Sequence, residues 1–204
     1  MRNVLADLAI ESEAATALGM RVAGSFDRPE ENAFRRIATA VSKYWICKRT
    51  PAVVSEALEC LGGNGYVEES GLPRLYREAP LNSIWEGSGN VICLDVLRAL
   101  GKEPEAGEAL LAELARTRGA DRRLDAHVDS LQALLVRPEE SSARRLVEAL
   151  ALALQGSLLV AHAPKPVADA FCASRLAGDW GRAFGTLPAG IDVGPILDRA
   201  WPRG

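Results

Sequence analysis

Residues 81–90, LNSIWEGSGN, place a single carboxylate, Glu86, between an aromatic residue and a glycine. Trp85 precedes it, and Ser88 is the predicted N-cap of an apolar helix over 88–100. Such a carboxylate can act as a general base if its neighbours withdraw it partly from water. It can equally be a capping acid, because the helix dipole favours negative charge near the N-terminus. Taken alone, the segment leaves both interpretations open.

A second candidate is the glycine-rich segment 56–70, EALECLGGNGYVEES. The adjacent glycines Gly62 and Gly63 let a backbone approach a ligand closely and expose N–H groups to phosphate oxygens. The segment follows a predicted helix rather than a strand, so it is not the dinucleotide-binding fingerprint of a Rossmann fold. A glycine helix stop followed by a turn at Asn64 and Gly65 is the structural alternative.

A third candidate is an arginine cluster, RTRGADRR, in which four arginines stand against one aspartate. Clustered guanidinium groups are what phosphate binding requires, and a solvated loop between helices is the alternative. The net charge of −3 argues against a general binder of nucleic acid or membrane surfaces. The possible DNA contacts are Arg98, Arg116, Arg118, Arg122 and Arg123, with Arg144 and Arg145 expected to join the cluster across the bundle.

Other chemistry has little support in the sequence. The cysteines lack C-x-x-C spacing, and the histidines have no cysteine or acidic cluster beside them, so no metal site is predicted. No apolar run approaches the ~18 residues of a membrane span, and acidic residues interrupt the N-terminal segment, unlike a signal peptide. We therefore expect a cytoplasmic protein without membrane association. Its buried free thiols would be Cys47, Cys60, Cys93 and Cys172.

Helical periodicity, without a convincing strand pattern, predicts an all-α fold. Helices are predicted over 3–23, 29–48, 52–61 and 88–100, with Pro51 as a kink or restart and Gly62 and Gly63 as a stop. The segment between the last two helices is predicted as a loop with one short helical turn. Helix 88–100 is apolar nearly all round, which predicts burial, and Gly101 would lie just past its end.

A polar, glycine- and proline-containing segment near residue 102 predicts a domain boundary between 1–101 and 102–204. Beyond it we predict helices over about 104–116, 121–136, 139–162 and 165–177. The tail from Gly178 is rich in glycine and proline and is predicted to be a loop, with Trp180 and Trp201 as anchors.

Taken together, the glycine-rich and Glu86 segments resemble the C-terminal helical-bundle domain of acyl-CoA dehydrogenases. Members of that family read roughly Q-x-x-G-G-x-G-[FY], then R-[DE], then [IV]-[YW]-E-G-[TS]. The matching residues are Glu59, Gly62, Gly63, Gly65, Tyr66, Arg77, Glu78, Ile84, Trp85, Glu86, Gly87 and Ser88. The resemblance is strong over residues 1–101. Within the family, the sequence is most similar to the AidB-type adaptive-response branch, whose members are flavoproteins involved in protection against DNA alkylation. Residues 102–204 are less similar and would correspond to the extra helical domain of that branch, where DNA contacts lie.

The resemblance implies an FAD-dependent oxidoreductase that removes hydrogen from the α and β carbons of an acyl-CoA. The carboxylate at Glu86 would take the α-proton, and Trp85 would line the acyl pocket. Ser88 and Asn90 match positions that contact the flavin. Glu59, Gly62 and Gly63 would lie against the ADP half of FAD bound by a neighbouring subunit, which implies a homo-oligomer, either a dimer or a tetramer.

Two residues depart from the family pattern, because Glu59 stands where glutamine is usual and Trp85 where tyrosine is usual. The family also carries an N-terminal helical domain and a β-barrel domain ahead of this region. We therefore expect a C-terminal piece of a larger flavoprotein that holds little FAD by itself. Two functions compete for the whole protein: acyl-CoA dehydrogenation, and DNA-associated protection against alkylation with little dehydrogenase turnover. A purely structural helical assembly module is the third alternative.

Overall fold

The computed structural model describes residues 1–136 and 138–201, and these residues form helices and turns without a strand. The all-α prediction is therefore confirmed. The α-helices are α1 (Arg2–Gly24), α2 (Asn32–Cys60), α3 (Gly63–Tyr66), α4 (Leu72–Glu78), α5 (Gly89–Lys102), α6 (Pro104–Ala115), α7 (Arg122–Val136), α8 (Ala143–His162), α9 (Lys165–Phe171) and α10 (Gly194–Ala200).

The long helix α2 is the axis of the first half, and it packs against α1, α4, α5, α6 and α8. It runs without interruption through Pro51, so of the two predicted outcomes there, a kink or a restart, the restart was wrong. The proline lacks a backbone donor, but the Thr50 hydroxyl donates to the Ile46 carbonyl at 2.7 Å and adds a bond within the same turn. The helix also begins later than the predicted residue 29, because Pro29–Glu31 forms a 3₁₀ turn before it.

The segment between α2 and α5 contains more helix than the single turn predicted. After α3, the chain forms a 3₁₀ turn at Glu68–Ser70, the helix α4, and a second 3₁₀ turn at Ala79–Ser83. The segment lies along α2, which contacts α3, α4 and the second turn. Elements this short show less than two turns of periodicity, so the sequence pattern could not identify them.

Helix α5 is buried on one side only, so the prediction of all-round burial was wrong. Ile92, Cys93, Val96 and Ala99 face the core, whereas Val91 is 60% exposed. The helix also includes Gly101 rather than ending before it. The consequence is an apolar surface on α5 that no other described part of this chain covers.

The second half is built on α8, whose buried residues contact α1, α2, α5, α6 and α7. Residues from both sides of position 102 share one core, among them Ile37, Val96, Leu110 and Leu150. The helices on the two sides of the predicted boundary therefore pack together. The division of the chain into two domains stays a prediction.

One helical segment, residues 140–162, is long and apolar enough to cross a membrane by length and composition. Within the fold, 61% of its most apolar window is buried against other helices. This is the pattern of a core helix, and the high hydropathy follows from burial on several sides.

The tail after Gly178 is only partly a loop, because α10 lies within it and packs on α1 and α9. Trp180 anchors the tail as predicted: its indole N–H donates to a carboxylate oxygen of Asp7 at 3.0 Å. Trp201, in contrast, is 75% exposed and anchors nothing, so that prediction was wrong.

The thiols are free, as predicted, but only two of the four are buried. Cys93 and Cys172 lie in the interior, whereas Cys47 and Cys60 are half-buried on α2. Burial raises the pKa of the Cys172 thiol to about 12. That thiol is therefore protonated near neutral pH and unreactive.

Candidate functional site

Glu86 lies on an exposed turn immediately before α5. Its backbone φ is +57°, the only positive φ of a non-glycine residue in the described chain. The side chain is exposed, and Trp85 beside it is 56% exposed, so the described part of this chain does not withdraw the carboxylate from water.

The turn is fastened to α2 by one lysine. The Lys43 ammonium donates to the Trp85 carbonyl at 2.9 Å and to the Gly87 carbonyl at 2.6 Å. Gly87 has φ +112°, and a Cβ there would lie 3.2 Å from the Ile92 side chain. The direction in which Glu86 leaves the backbone is thus determined by a lysine forty-three residues before it in sequence and by a glycine next to it.

The N-terminus of α5 matches its prediction in position. Ser88 is the N-cap residue, although its hydroxyl makes no capping hydrogen bond, and it is exposed. Asn90 is also exposed, and its amide oxygen accepts a hydrogen bond from Arg144 at 3.3 Å. Gly89 between them is buried, and a Cβ there would lie 3.3 Å from the Tyr44 ring. Both residues that match flavin-contacting positions therefore lie on the same surface as Glu86.

The glycine motif forms an exposed corner at the end of α2. Gly62 has φ +57°, which favours glycine, and a Cβ at Gly62 or Gly63 would meet no atom within 4 Å. Gly65 is different, because a Cβ there would lie 2.0 Å from the Leu58 carbonyl oxygen. Glu59 is exposed on the last turn of α2. The first two glycines thus leave the backbone open to an approaching group, and the third lets α3 fold back onto α2.

The two motifs belong to different places on the surface. The turn that carries Glu86 is attached to α2 at Lys43, and the glycine corner follows Cys60 at the end of α2. Lys43 and Cys60 are about 25 Å apart along the helix axis, at roughly 1.5 Å of rise per residue. The open backbone at Gly62 and Gly63 fits a phosphate-bearing group, and the exposed polar side chains of Ser88 and Asn90 fit a polar ring system. The two surfaces therefore fit two different parts of FAD, the phosphate-bearing half and the flavin ring.

Most of the predicted DNA-contacting arginines are already paired with carboxylates. Arg118 bonds to Asp129 at 2.6 Å, and Arg123 bonds to Asp121 and, at 3.0 Å, to Asp169. Arg116 pairs with Glu113 at 3.1 Å and Arg98 with Asp95 at 3.5 Å. Within the described chain, Arg122 alone of the five makes no ion pair. The sequence pattern missed these partners because several of them come from other turns and helices.

Arg144 and Arg145 do not join the arginine cluster, so that prediction was wrong. They lie at the start of α8, where Arg144 contacts Asn90. The cluster lies near the other end, where the Thr117 hydroxyl is 2.8 Å from that of Ser157. Since α7 and α8 form a hairpin, the two groups are at opposite ends of it.

A cavity elsewhere in the fold has no residue of the Glu86 turn in its lining. This cavity, of about 520 Å³, lies between α1, α6 and α8 and is lined by polar side chains. Arg21 within it donates to Glu113 at 2.7 Å and to Glu31 at 2.7 Å, so its charge is compensated. No group of metal-ligating side chains occurs among residues 1–136 and 138–201.

Comparison with known proteins identifies the first half. The family profile described as "Acyl-CoA dehydrogenase, C-terminal domain" matches residues 1–101. The chain is 45% identical over 175 residues to the putative acyl-CoA dehydrogenase AidB of Escherichia coli, covering 84% of this chain and 32% of that protein. It is 37% identical over 172 residues to acyl-CoA dehydrogenase family member 11 of Caenorhabditis elegans, covering 74% of this chain and 28% of that protein.

The fold agrees with a solved structure. The crystal structure of C. elegans ACDH-11 in complex with C11-CoA superposes with a TM-score of 0.62 at 33% identity, covering 84% of this chain and 34% of that one. The chain thus spans about a third of the length of these relatives. Residues 1–101 hold both the glycine corner and Glu86, and through them the chain belongs to the acyl-CoA dehydrogenase family, as part of its C-terminal domain.

Proposed function

We infer that this chain contributes the C-terminal helical domain of a flavin-dependent acyl-CoA dehydrogenase, in which Glu86 is the base for the α-proton. The observation that carries the proposal is the position of Glu86: an unpaired carboxylate on a left-handed turn, held in place by Lys43. Strained backbone in a non-glycine residue is characteristic of functional sites. A surface acid with only a capping role has no need of it.

The chemistry requires more than a solvated carboxylate. The α-proton of a thioester is weakly acidic, so its base must be positioned and shielded from water. Glu86 is exposed here, and the exposed apolar side chains of Ile84 and Trp85 flank it. We infer that a bound acyl chain and further protein surface cover this face and exclude water, while Glu86 takes the proton. FAD, when bound, accepts the hydride from the β carbon.

Cofactor binding is assigned to the two surfaces described above. Members of the family are flavoproteins, which implies FAD. The backbone at Gly62 and Gly63 would contact the phosphate-bearing half of an FAD bound by a neighbouring subunit, and Ser88 and Asn90 would contact a flavin ring system. Glu59 would add a carboxylate rather than an amide beside the phosphates. This arrangement predicts weaker FAD binding at that corner than a glutamine would give, because like charges repel.

The test is Glu86→Gln in the full-length protein that contains this segment. The amide keeps the shape of the side chain and removes the base, so acyl-CoA dehydrogenation should fall by about 10²–10⁴-fold. Flavin content should stay unchanged. Glu105→Gln is the matched control, since Glu105 is an exposed acid on α6 outside both candidate segments and its replacement should leave turnover intact. If the Glu86→Gln variant loses flavin while its turnover survives, Glu86 is a structural acid and the proposal is wrong.

The DNA alternative makes a separate forecast for the same variant. Glu86 and the Arg116–Arg123 cluster attach to different helices, α5 and α7, so Glu86→Gln should leave any DNA affinity unchanged. The ion pairs of the cluster do not favour this alternative, because paired guanidinium groups have less charge to offer phosphates.

A further inference from the structure

Lys43 bridges two carbonyl groups, one before and one after Glu86, and the function proposed above uses it only as an anchor of the turn. Its ammonium donates to the carbonyl oxygens of Trp85 and Gly87 at 2.9 and 2.6 Å. Hydrogen bonds from a charged donor are shorter and stronger than those between neutral groups. One side chain on α2 therefore holds the 85–86 peptide, directly before Glu86, and the 87–88 peptide, one residue beyond it.

The bridge acts on the strained position of the turn. Glu86 has φ +57°, a region that L-residues other than glycine, asparagine and aspartate rarely adopt. Such a conformation persists only where surrounding contacts impose it. Within the described chain, the turn between Leu81 and Ile92 is tied to α2 by these two bonds from Lys43.

The choice of carbonyl partners leaves the carboxylate available. Among the described residues, Lys43 forms no ion pair and the Glu86 carboxylate accepts no hydrogen bond. An ammonium bonded directly to Glu86 would neutralise the base that the chemistry needs. Attached to the backbone instead, the lysine orients the residue without occupying its oxygens.

We propose that Lys43 is the positioning residue for Glu86, acting through the Trp85 and Gly87 carbonyls and not through the substrate. The proposal rests on the proposed function, in which Glu86 is the α-proton base. A displacement of about 1 Å at a reacting group can cost about 10²-fold in rate. A loosened turn should therefore lower kcat far more than it changes KM.

The first test measures the turn itself, in this chain and without any cofactor. The Trp85 amide donates to the Leu81 carbonyl at 3.1 Å, so its hydrogen exchange reports on opening of the turn. In Lys43→Met we expect that exchange to be at least about 10-fold faster. Lys43→Arg, which keeps two charged donors, should restore slow exchange. Lys102→Met, at an exposed lysine in the last turn of α5, is the control and should change nothing.

The second test measures turnover in the full-length protein. Lys43→Met should lower kcat by about 10²-fold with KM nearly unchanged, and Lys43→Arg should recover most of the loss. If Lys43→Met does not fold, Lys43→Gln removes the charge while keeping a polar donor and replaces it in both tests. Unchanged exchange together with unchanged kcat would overturn the proposal.

The outcomes for Glu86 and Lys43 are distinguishable. If Glu86→Gln retains full turnover, the proposed function fails, whatever Lys43 does to the turn. If Glu86→Gln abolishes turnover while Lys43→Met leaves both kcat and exchange intact, only the positioning role of Lys43 fails. Faster exchange with a lowered kcat supports both.

Discussion

At the residue scale, the chemistry proposed for this chain concentrates in one turn. The sequence singled out Glu86 only in combination with the glycine-rich segment, because a lone acid before a helix also fits a capping role. Its role as a base stays a proposal. Its exposure was not identifiable, since burial depends on neighbours that the local sequence does not name. Lys43 was missed for the same reason: its partners are backbone carbonyls more than forty residues away.

The strain at Glu86 gives the first prediction at this scale. Glycine adopts a positive φ freely, so Glu86→Gly should raise the free energy of unfolding by roughly 0.5–1 kcal/mol, measured by chemical denaturation. Glu69→Gly is the control, because its φ is not positive and glycine there should lower stability. A destabilised Glu86→Gly variant would show that the carboxylate itself contributes contacts to the fold.

At the element scale, composition and periodicity predicted the long helices well and the short ones poorly. The boundaries of α1, α6 and α7 fell within a few residues of expectation. Pro51 misled the prediction, because packing along the length of α2 outweighed the local penalty of a proline. α10 was missed because a seven-residue helix in a segment rich in glycine and proline carries almost no periodic signal.

The glycine corner gives a prediction for an element. Gly65→Ala would place a Cβ against the Leu58 carbonyl oxygen, so we expect a loss of about 1–3 kcal/mol in the free energy of unfolding. Gly63→Ala meets no atom within 4 Å and should be nearly neutral. The pair is compared by thermal or chemical denaturation. Equal effects of the two substitutions would show that α3 does not pack on α2 as described.

The arginine cluster gives a second prediction at this scale. Because most of its guanidinium groups are paired, alanine at Arg116, Arg118, Arg122 and Arg123 should leave the salt dependence of DNA binding unchanged. The measurement is binding of duplex DNA across a range of salt concentrations. If DNA affinity depends less steeply on salt concentration in the variant, the arginines contact phosphates, and the result would support the DNA alternative.

At the scale of the whole molecule, buried charges join the two ends of the chain. Arg175 is buried and pairs with the buried Asp7 and, at 3.1 Å, with Glu11, and its guanidinium stacks 4.0 Å from the centre of the Trp180 ring. Removing one partner leaves an uncompensated buried charge, which is strongly destabilising. This network holds the tail against α1. No local sequence pattern predicts it, because its members are far apart in the sequence.

Exposed apolar side chains lead to a prediction about assembly. They are concentrated in the segment from α3 to α5 and include Leu61, Tyr66, Leu75, Tyr76, Leu81, Ile84, Trp85 and Val91. Apolar patches of this kind mark contact surfaces, so we expect the chain to self-associate at micromolar concentration in light scattering. Val91→Asp should weaken the association, whereas Val136→Asp, at a still more exposed valine on α7, should not. A monomer at these concentrations would contradict the prediction.

Acid stability follows from the ion pairs of α7 and α9. The hydrogen bond from Arg123 lowers the pKa of the Asp121 carboxyl, and hydrogen bonds from Lys165 and Arg123 lower the pKa of the Asp169 carboxyl. The stabilisation is therefore present above about pH 4 and is lost as pH falls through the lower, folded-state pKa. The Asp121 carboxylate also accepts hydrogen bonds from the backbone N–H groups of Arg123 and Leu124 at the start of α7. Asp121→Asn keeps that acceptor, and the free energy of unfolding, measured by urea denaturation, should fall less steeply below about pH 4. An unchanged acid slope would show that this pair contributes nothing.

The central claim is that Glu86 takes the α-proton while flavin accepts the hydride. The most direct measurement is the rate at which a saturating acyl-CoA bleaches the oxidised-flavin absorbance of the full-length protein in a single anaerobic turnover. We predict that Glu86→Gln, with flavin content equal to that of the wild type, slows this bleaching by about 10²–10⁴-fold. Bleaching at the wild-type rate in the Glu86→Gln protein would contradict the account.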